Sequence, residues 1–144
     1  MKNLLFRTGL VSPAADWGLL LLRLGVGLLM IIGHGYGKVG RVLAGNMQFG
    51  DPLGLGPGTS LVLAAFAEFV CSLAVILGLM TRAAVIPLIV TMSTAALIVH
   101  ADDPFGKQEL PLLFLSAYVL LLLTGPGKLS LDAFIGRKLG VNTK

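Results

Sequence analysis

The sequence predicts an all-α integral membrane protein, folded as a single four-helix bundle within the lipid bilayer. Of its 144 residues, 56% are hydrophobic and only 12% are charged, and the mean hydropathy is +0.90. Soluble domains carry about 25% charged residues, so half of the usual charge is missing. The apolar residues also fall into four long runs separated by short polar segments, which is the pattern of a multi-pass membrane protein.

Four segments are long enough, or nearly so, to cross a bilayer as helices, which takes about 20 apolar residues. They are Leu19 to about Lys38, Ser60 to Met80, Ala83 to His100, and Leu110 to Thr124. A loop rich in glycine and proline separates the first two, and only Thr81 and Arg82 separate the second from the third. Because the connections are short and no soluble segment is left over, residues 1–144 are expected to form one domain.

The distribution of basic residues predicts the orientation, because lysine and arginine are more frequent in cytoplasmic loops. The side with both termini has seven basic residues near the ends of the spans, and the opposite side has three. The seven are Lys2, Arg7, Arg82, Lys128, Arg137, Lys138 and Lys144, and the three are Lys38, Arg41 and Lys107. Both termini are therefore expected in the cytoplasm, with the Gly/Pro loop and the acidic loop after His100 outside.

The net charge of +4 does not indicate a nucleic-acid partner, because the basic residues lie between apolar runs and not in a stripe on a soluble fold. The lipid bilayer is the expected partner. Cys71 is the only cysteine, which excludes an intrachain disulfide and a CxxC redox pair. The glycine-rich segments GHGYGKVG and GPGKLS lack the GxxxxGK[ST] pattern of a phosphate-binding loop.

Glu68 is the most informative polar residue, since it lies about 12 Å into the second span by helical rise. A carboxylate at that depth is unfavourable unless it is paired or protonated. His34 and Lys38 lie four residues apart on one face of the first span, and His100 and Glu109 flank the second outer loop. These five residues are predicted to form a polar pocket in the outer half of the bundle.

Arg23 and His34 are 11 residues apart, which at 100° per residue is within about 20° of a whole number of helical turns. Arg23 is therefore predicted to lie on the same face of the first span as His34. It is also only about 6–9 Å from the cytoplasmic end of its span by helical rise. There, an arginine that reaches the head groups or forms a structural ion pair is the favoured interpretation, and Arg23 is kept as a substrate-binding candidate. For the pocket, the alternative is a structural network in which Glu68 pairs with a histidine or lysine and fixes helix register.

Several motifs together resemble the DoxX family of small four-helix bacterial membrane proteins. They are, in order, RLGVGLLMIIGHGYGK, AEFVCSLAVILGLMTRAA, VH before an acidic loop, GKQELPLLFLSAYVLLLLTGPG and GPGKLSLD. The resemblance covers about Leu19 to Asp132. It implies a bacterial inner-membrane location and a redox setting with a lipid quinone. Members of the family are described as oxidoreductase components, some related to the membrane subunit of a thiosulfate:quinone oxidoreductase and others linked to resistance to quinones, thiols or oxidative stress.

The resemblance also implies roles for individual residues. Arg23, His34, Lys38, Glu68, His100 and Glu109 fall at positions that are polar in the family pattern, and Gly125, Pro126, Gly127, Ser130 and Asp132 fall in its closing motif. The physical interpretation of the closing motif is structural. Gly-Pro-Gly ends the fourth helix, and Ser130 or Asp132 caps a short helix from Ala133 to Leu139.

The leading hypothesis is a quinone-associated membrane subunit with bound quinone in the pocket. In this hypothesis the catalytic residues are Glu68, which relays protons, and His34, which with Lys38 hydrogen-bonds the quinone carbonyls. Lys38, His100, Glu109 and Arg23 are the substrate-binding candidates. Because the chain has no cysteine pair, dinucleotide fingerprint or haem attachment motif, electrons would pass through bound quinone or a redox partner protein.

Two alternatives stay open at this point. The chain is a non-catalytic scaffold that docks a redox partner, or, less favoured, it handles a metal or small solute through His34, His100 and carboxylates. No HxxxH or clustered-methionine spacing supports the metal alternative, so no metal ligands are assigned. The sequence leaves open whether the chain alone is an enzyme and whether it forms a homo-oligomer.

Overall fold

A computed structural model describes residues 12–140, and the regular structure in this range is all helical. Four helices are long and apolar enough to cross a membrane: α1 (Pro13–Leu43), α2 (Pro57–Leu77), α3 (Thr81–Val99) and α4 (Phe105–Thr124). A short helix, α5 (Leu131–Lys138), follows. The predicted all-α four-helix membrane fold is confirmed. Of the basic residues used to predict orientation, Lys2, Arg7 and Lys144 lie outside the described range.

The side chains sort between the centre of the bundle and its periphery as expected for a protein in lipid. The centre contains Met30, Val75, Val85, Leu88, Tyr118 and Leu121, all with no exposed surface. Large apolar side chains such as Leu21, Ile32 and Leu113 are 64% or more exposed on the outside, where a bilayer would cover them. Helices with apolar side chains both at the centre and on the outside are therefore compatible with a single bundle, because lipid and not water contacts the outside.

Three of the four long helices contain a π-helical turn, in which the hydrogen bond spans five residues in place of four. These turns are Ile31–Gly35 in α1, Phe66–Cys71 in α2 and Ala95–Val99 in α3. Each adds one residue to a turn, which rotates the rest of the helix by about 100° relative to an unbroken α-helix. Such turns are frequent at functional sites.

Glycine allows α1 and α2 to approach closely at their π turns. A Cβ atom on Gly35 would lie 2.7 Å from the carbonyl oxygen of Glu68, so any larger residue would push the two main chains apart. Gly27 has the same role nearer to the termini, against Ile76. Gly25, Gly33 and Gly37, in contrast, meet nothing within 4 Å, so this contact depends on Gly27 and Gly35.

The bundle has two different ends. The terminal end contains the start of α1, the turn between α2 and α3, and α5; the loop end contains the loop 44–56 and the turn 100–104. At the loop end, the first part of α2, Pro57–Ala65, packs mainly against the last part of α1, Tyr36–Leu43, whereas the end of α3 packs against α4. The helices therefore separate into two pairs with a cleft between them.

The terminal end is held together by the closing motif of residues 125–132. The Asp132 carboxylate accepts hydrogen bonds from the main-chain N–H groups of Met80 (2.6 Å) and Thr81 (2.9 Å), and its own N–H donates to the carbonyl of Gly78. Asp132 is fully buried. It thus caps α3 and not α5, because Ser130 is the residue whose hydroxyl accepts from Ala133 N at the start of α5.

Arg23 and Asp16 attach α1 to the same motif. The Arg23 guanidinium donates to the carbonyl oxygens of Ile76 (3.3 Å) and Leu129, and Asp16 accepts from the N–H of Lys128 (2.8 Å). Arg23 has no exposed surface. Its side chain therefore neither reaches lipid head groups nor enters the predicted pocket, and it joins α1 to α2 and to the segment after α4.

Replacement of Asp132 by alanine is expected to lower the free energy of unfolding by about 2–3 kcal/mol, because a buried carboxylate that caps two main-chain donors is lost. Thermal unfolding in detergent micelles measures the effect. The exposed residue Asp102 provides the control, since Asp102→Ala removes the same group without a cap. Equal melting temperatures for the two variants would contradict the capping role.

Candidate functional site

A cavity of about 390 Å³ lies between the two helix pairs at the loop end. Apolar side chains form most of its wall and come from α2, α3, α4 and the loop 44–56: Phe49, Pro52, Leu53, Leu55, Leu63, Ala64, Val90, Met92, Ala95, Val99, Leu110, Pro111 and Phe114. A smaller polar set also lines it: His34, Lys38, Ser60, Glu68, Thr91, Thr94, His100 and Lys107. An apolar cavity with a few converging polar groups is the usual form of a small-molecule site.

The three π turns lie at the level of this cavity. His34 is in the turn of α1, Glu68 is in the turn of α2, and His100 immediately follows the turn of α3. Because each wide turn changes the direction of the residues after it, the local helix geometry determines which side chains face the cavity.

Lys38 and Glu68 form an ion pair in the cavity wall, with 2.6 Å between Lys38 Nζ and Glu68 Oε2. The Glu68 side chain is 5% exposed and that of Lys38 is 18% exposed. The Lys38 ammonium also lies 5.9 Å from the ring centre of Phe49, on the loop above it. The pair satisfies both charges, which a membrane interior otherwise disfavours.

The two histidines have different surroundings. The His34 ring makes an edge-to-face contact with Phe114, with 6.1 Å between ring centres. His100 Nδ1 lies 2.8 Å from Asp103 Oδ2, and the other Asp103 oxygen accepts from Lys107 Nζ at 3.0 Å. The hydrogen bond from His100, followed by that from Lys107, lowers the pKa of Asp103, so this carboxylate is ionised at neutral pH.

The loop 44–56 covers the cavity and is held in shape by Asp51. Its carboxylate accepts from the N–H groups of Leu55 (2.9 Å) and Gly56 (2.8 Å) and from the hydroxyl of Ser60 (2.7 Å). These hydrogen bonds, that of Ser60 foremost, lower the pKa of Asp51 below its ordinary value of 3.8. Asp51 therefore ties the loop to the first turn of α2.

The structure brings together four of the six predicted site residues: His34, Lys38, Glu68 and His100 all line the cavity. Glu109 does not, because α4 begins at Phe105 and Glu109 lies on an exposed face of it. Lys107, two residues earlier, lines the cavity instead.

Arg23 also lies elsewhere, at the terminal end. The stripe from Arg23 to His34 assumed an unbroken α-helix, and the π turn that begins at Ile31 changes the helical phase between them. Arg23 also lies about 16 Å from His34 along the helix by helical rise, so its candidacy as a substrate-binding residue is corrected. Its buried hydrogen bonds to the carbonyls of Ile76 and Leu129 fit the structural role that was the favoured interpretation.

Sequence reasoning missed Lys107, Phe49 and the carboxylates of Asp51 and Asp103. A signal existed for Asp103 and Lys107, since their i, i+4 spacing favours an ion pair. No sequence pattern placed Phe49 over the cavity, because it belongs to an irregular loop. Within residues 12–140, no three His, Cys, Asp or Glu side chains are grouped so as to hold a metal ion.

The fold and this cavity together define a small four-span membrane protein with a polar-lined site at one end of its bundle. The model of the DoxX family matches residues 18–101, and the chain belongs to the DoxX family. It is 34% identical over 133 residues to "Putative oxidoreductase CatD" of Bacillus subtilis (strain 168), covering 90% of this chain and 97% of that protein.

A second relative is "Inner membrane protein YqjF" of Escherichia coli (strain K12), which is 30% identical over 127 residues, 85% of this chain and 95% of that protein. No solved structure matches the chain significantly. The resemblance to the DoxX family inferred from the motifs is thereby confirmed.

Removal of either member of the Lys38–Glu68 pair is expected to destabilise the protein more than removal of both. Lys38→Met and Glu68→Gln each leave one buried charge without its partner, which lowers the free energy of unfolding by about 3–5 kcal/mol. The double variant leaves no charge, so its loss is expected to be smaller than that of either single variant and therefore well below their sum. Strictly additive losses in chemical unfolding would show that the pair is not coupled.

Acid is expected to loosen the loop over the cavity through Asp51. Because its pKa is lowered in the folded state, its stabilising effect is present above about pH 4 and is lost as the pH falls through the lower folded value. A nitroxide label on Gly50→Cys, in a Cys71→Ser background, should gain mobility as the pH is lowered from neutral to below about 4. In an Asp51→Asn variant, mobility should be high at neutral and acid pH alike; an unchanged pH response in that variant would assign the effect to another group.

Proposed function

We propose that this chain is the quinone-binding subunit of a bacterial inner-membrane redox system, with the quinone in the loop-end cavity. The observation that carries the proposal is the cavity itself, which combines an apolar wall with one ion pair and two imidazoles. A quinone has matching chemistry, an apolar ring with oxygen atoms at opposite edges. The names of the two relatives, an oxidoreductase and an inner-membrane protein, support the same assignment.

The route into the cavity favours a ligand that is dissolved in the membrane. Leu63 of α2 and Val90 of α3 line the cavity and are 51% and 53% exposed. We place the entrance between these two helices, because the first part of α2 packs mainly against α1. A lipid-soluble ring can therefore enter sideways from the bilayer without crossing the loop.

The polar residues of the cavity supply hydrogen bonds and protons at the ring oxygens. Lys38 Nζ donates to one oxygen, and His34 donates to the other from its place beside Phe114. A bound quinone supplies the redox chemistry, in which reduction to quinol takes up two electrons and two protons. We assign the relay of protons to Glu68 and His34, each of which takes up a proton from water before it passes one to a ring oxygen, and the electrons to the cofactor of a redox partner protein.

The orientation proposed from the basic residues places both termini in the cytoplasm and the loop end at the outer side of the membrane. The cavity would then accept quinone in the outer half of the bilayer. Lys128, Arg137 and Lys138 at the terminal end support this orientation, as do the few basic residues of the loop end.

Quinone analysis of the protein in nanodiscs tests the proposal. Wild-type protein is expected to carry about one quinone per chain after lipid extraction, and Glu68→Gln and Ala64→Phe to carry at least about fivefold less. The first variant removes the carboxylate and the second fills the cavity without changing charge. Glu109→Gln and Ala14→Phe make the same chemical changes on exposed positions and should retain the quinone.

Absence of quinone from folded wild-type protein, even after incubation with excess quinone, would refute the assignment. The scaffold hypothesis would then take its place. In that case changes in the loop 44–56 should disrupt co-purification of a stoichiometric redox protein more than Glu68→Gln does.

A further inference from the structure

The turn between α3 and α4 fixes the orientation of the His100 ring through Asp103, a residue that does not line the cavity. Asp103 receives the hydrogen bond of Nδ1 at 2.8 Å and is itself held by Lys107 at 3.0 Å. The side-chain amide of Gln108 donates to the main-chain carbonyl of His100 at 2.8 Å. The first turn of α4 thus holds both the ring and the backbone of His100.

This arrangement determines which ring nitrogen carries the proton. An ionised carboxylate only accepts hydrogen bonds, so Nδ1 of His100 must donate to Asp103. In the neutral ring, Nε2 is then left with a lone pair, the reverse of the tautomer that a neutral imidazole favours in water. His100 lines the cavity, whereas Asp103, the partner of Nδ1, does not. We therefore infer that the opposite ring edge, with Nε2, faces the cavity and gives it a hydrogen-bond acceptor.

We propose that Asp103 is a positioning residue that makes His100 Nε2 an acceptor for a ring hydroxyl, so that the site prefers quinol over quinone. This inference rests on the proposed function and specifies its ligand. A ring hydroxyl of the quinol can donate a hydrogen bond to Nε2. A ring carbonyl of the quinone cannot, because it would place two hydrogen-bond acceptors against each other. Lys38 only donates and pairs with a ring oxygen in both forms, so discrimination is assigned to His100.

The tautomer is measurable without any ligand, because the chain has only two histidines, His34 and His100. Nitrogen NMR of protein labelled with 15N-histidine, in nanodiscs at about pH 8.5 where imidazole is neutral, should show His100 protonated at Nδ1. A His34→Gln variant assigns the two sets of signals. In Asp103→Asn, the proton should move to Nε2 in a large fraction of molecules, whereas Asp102→Asn, at the exposed neighbouring position, should leave the spectrum unchanged.

Binding of a short-chain benzoquinol and of its quinone measures the consequence. Wild-type protein is expected to bind the quinol about five- to tenfold more tightly than the quinone under anaerobic conditions. Asp103→Asn should lose this preference through weaker quinol binding and tighter quinone binding, because Nε2–H then faces the ring oxygen as a donor, with the melting temperature little changed. A merely structural role for Asp103 would weaken both ligands equally or lower the melting temperature.

Each result bears on one part of the inference. Protonation of wild-type His100 at Nε2, or an unchanged tautomer and preference in Asp103→Asn, would overturn the positioning role even if quinone binds. The predicted tautomer in a wild-type protein that binds neither quinol nor quinone would overturn the proposed function and the ligand named here. The tautomer, the preference and their joint loss in Asp103→Asn would support both.

Discussion

The buried carboxylate of Asp132 is the interaction on which the arrangement of the helices depends. In lipid, apolar surface alone gives helices little reason to associate, so close packing and hydrogen bonds must hold a bundle together. Asp132 caps α3 at Met80 and Thr81, and Arg23 bonds the neighbouring carbonyl of Leu129. Three helices and the closing motif therefore meet around two opposite charges at the terminal end.

A firmly joined terminal end allows the loop end to open. The helices can separate into two pairs there without loss of the bundle, and the space between them becomes the cavity. The contact of Gly35 with the main chain of Glu68 keeps α1 and α2 close together at the level of the cavity. Polar groups then lie at one depth in an otherwise apolar protein, with Lys38 and Glu68 neutralising each other.

The number and type of helices followed from hydropathy because a bilayer imposes length and apolarity on every span. The depth of Glu68 and the spacing of His34 and Lys38 were sufficient to predict most of the polar cavity. The position of Arg23 near the terminal end already favoured a structural role, but its bond to Leu129 and the π turn Ile31–Gly35 were not predictable, since both depend on packing between distant segments and have no local sequence pattern. The role of Asp132 was missed for a related reason: it caps a helix about 50 residues earlier in the chain, and capping rules consider only near neighbours.

The hydrogen bonds of the closing motif also constrain the order in which the protein is made. Arg23 bonds Leu129, 106 residues later, and Asp16 bonds Lys128, 112 residues later. During synthesis, α1 therefore enters the membrane before Leu129 and Lys128 have been translated, and Arg23 first meets the carbonyl of Ile76 in α2. The terminal end completes its hydrogen bonds only after α4 and the closing motif have been made.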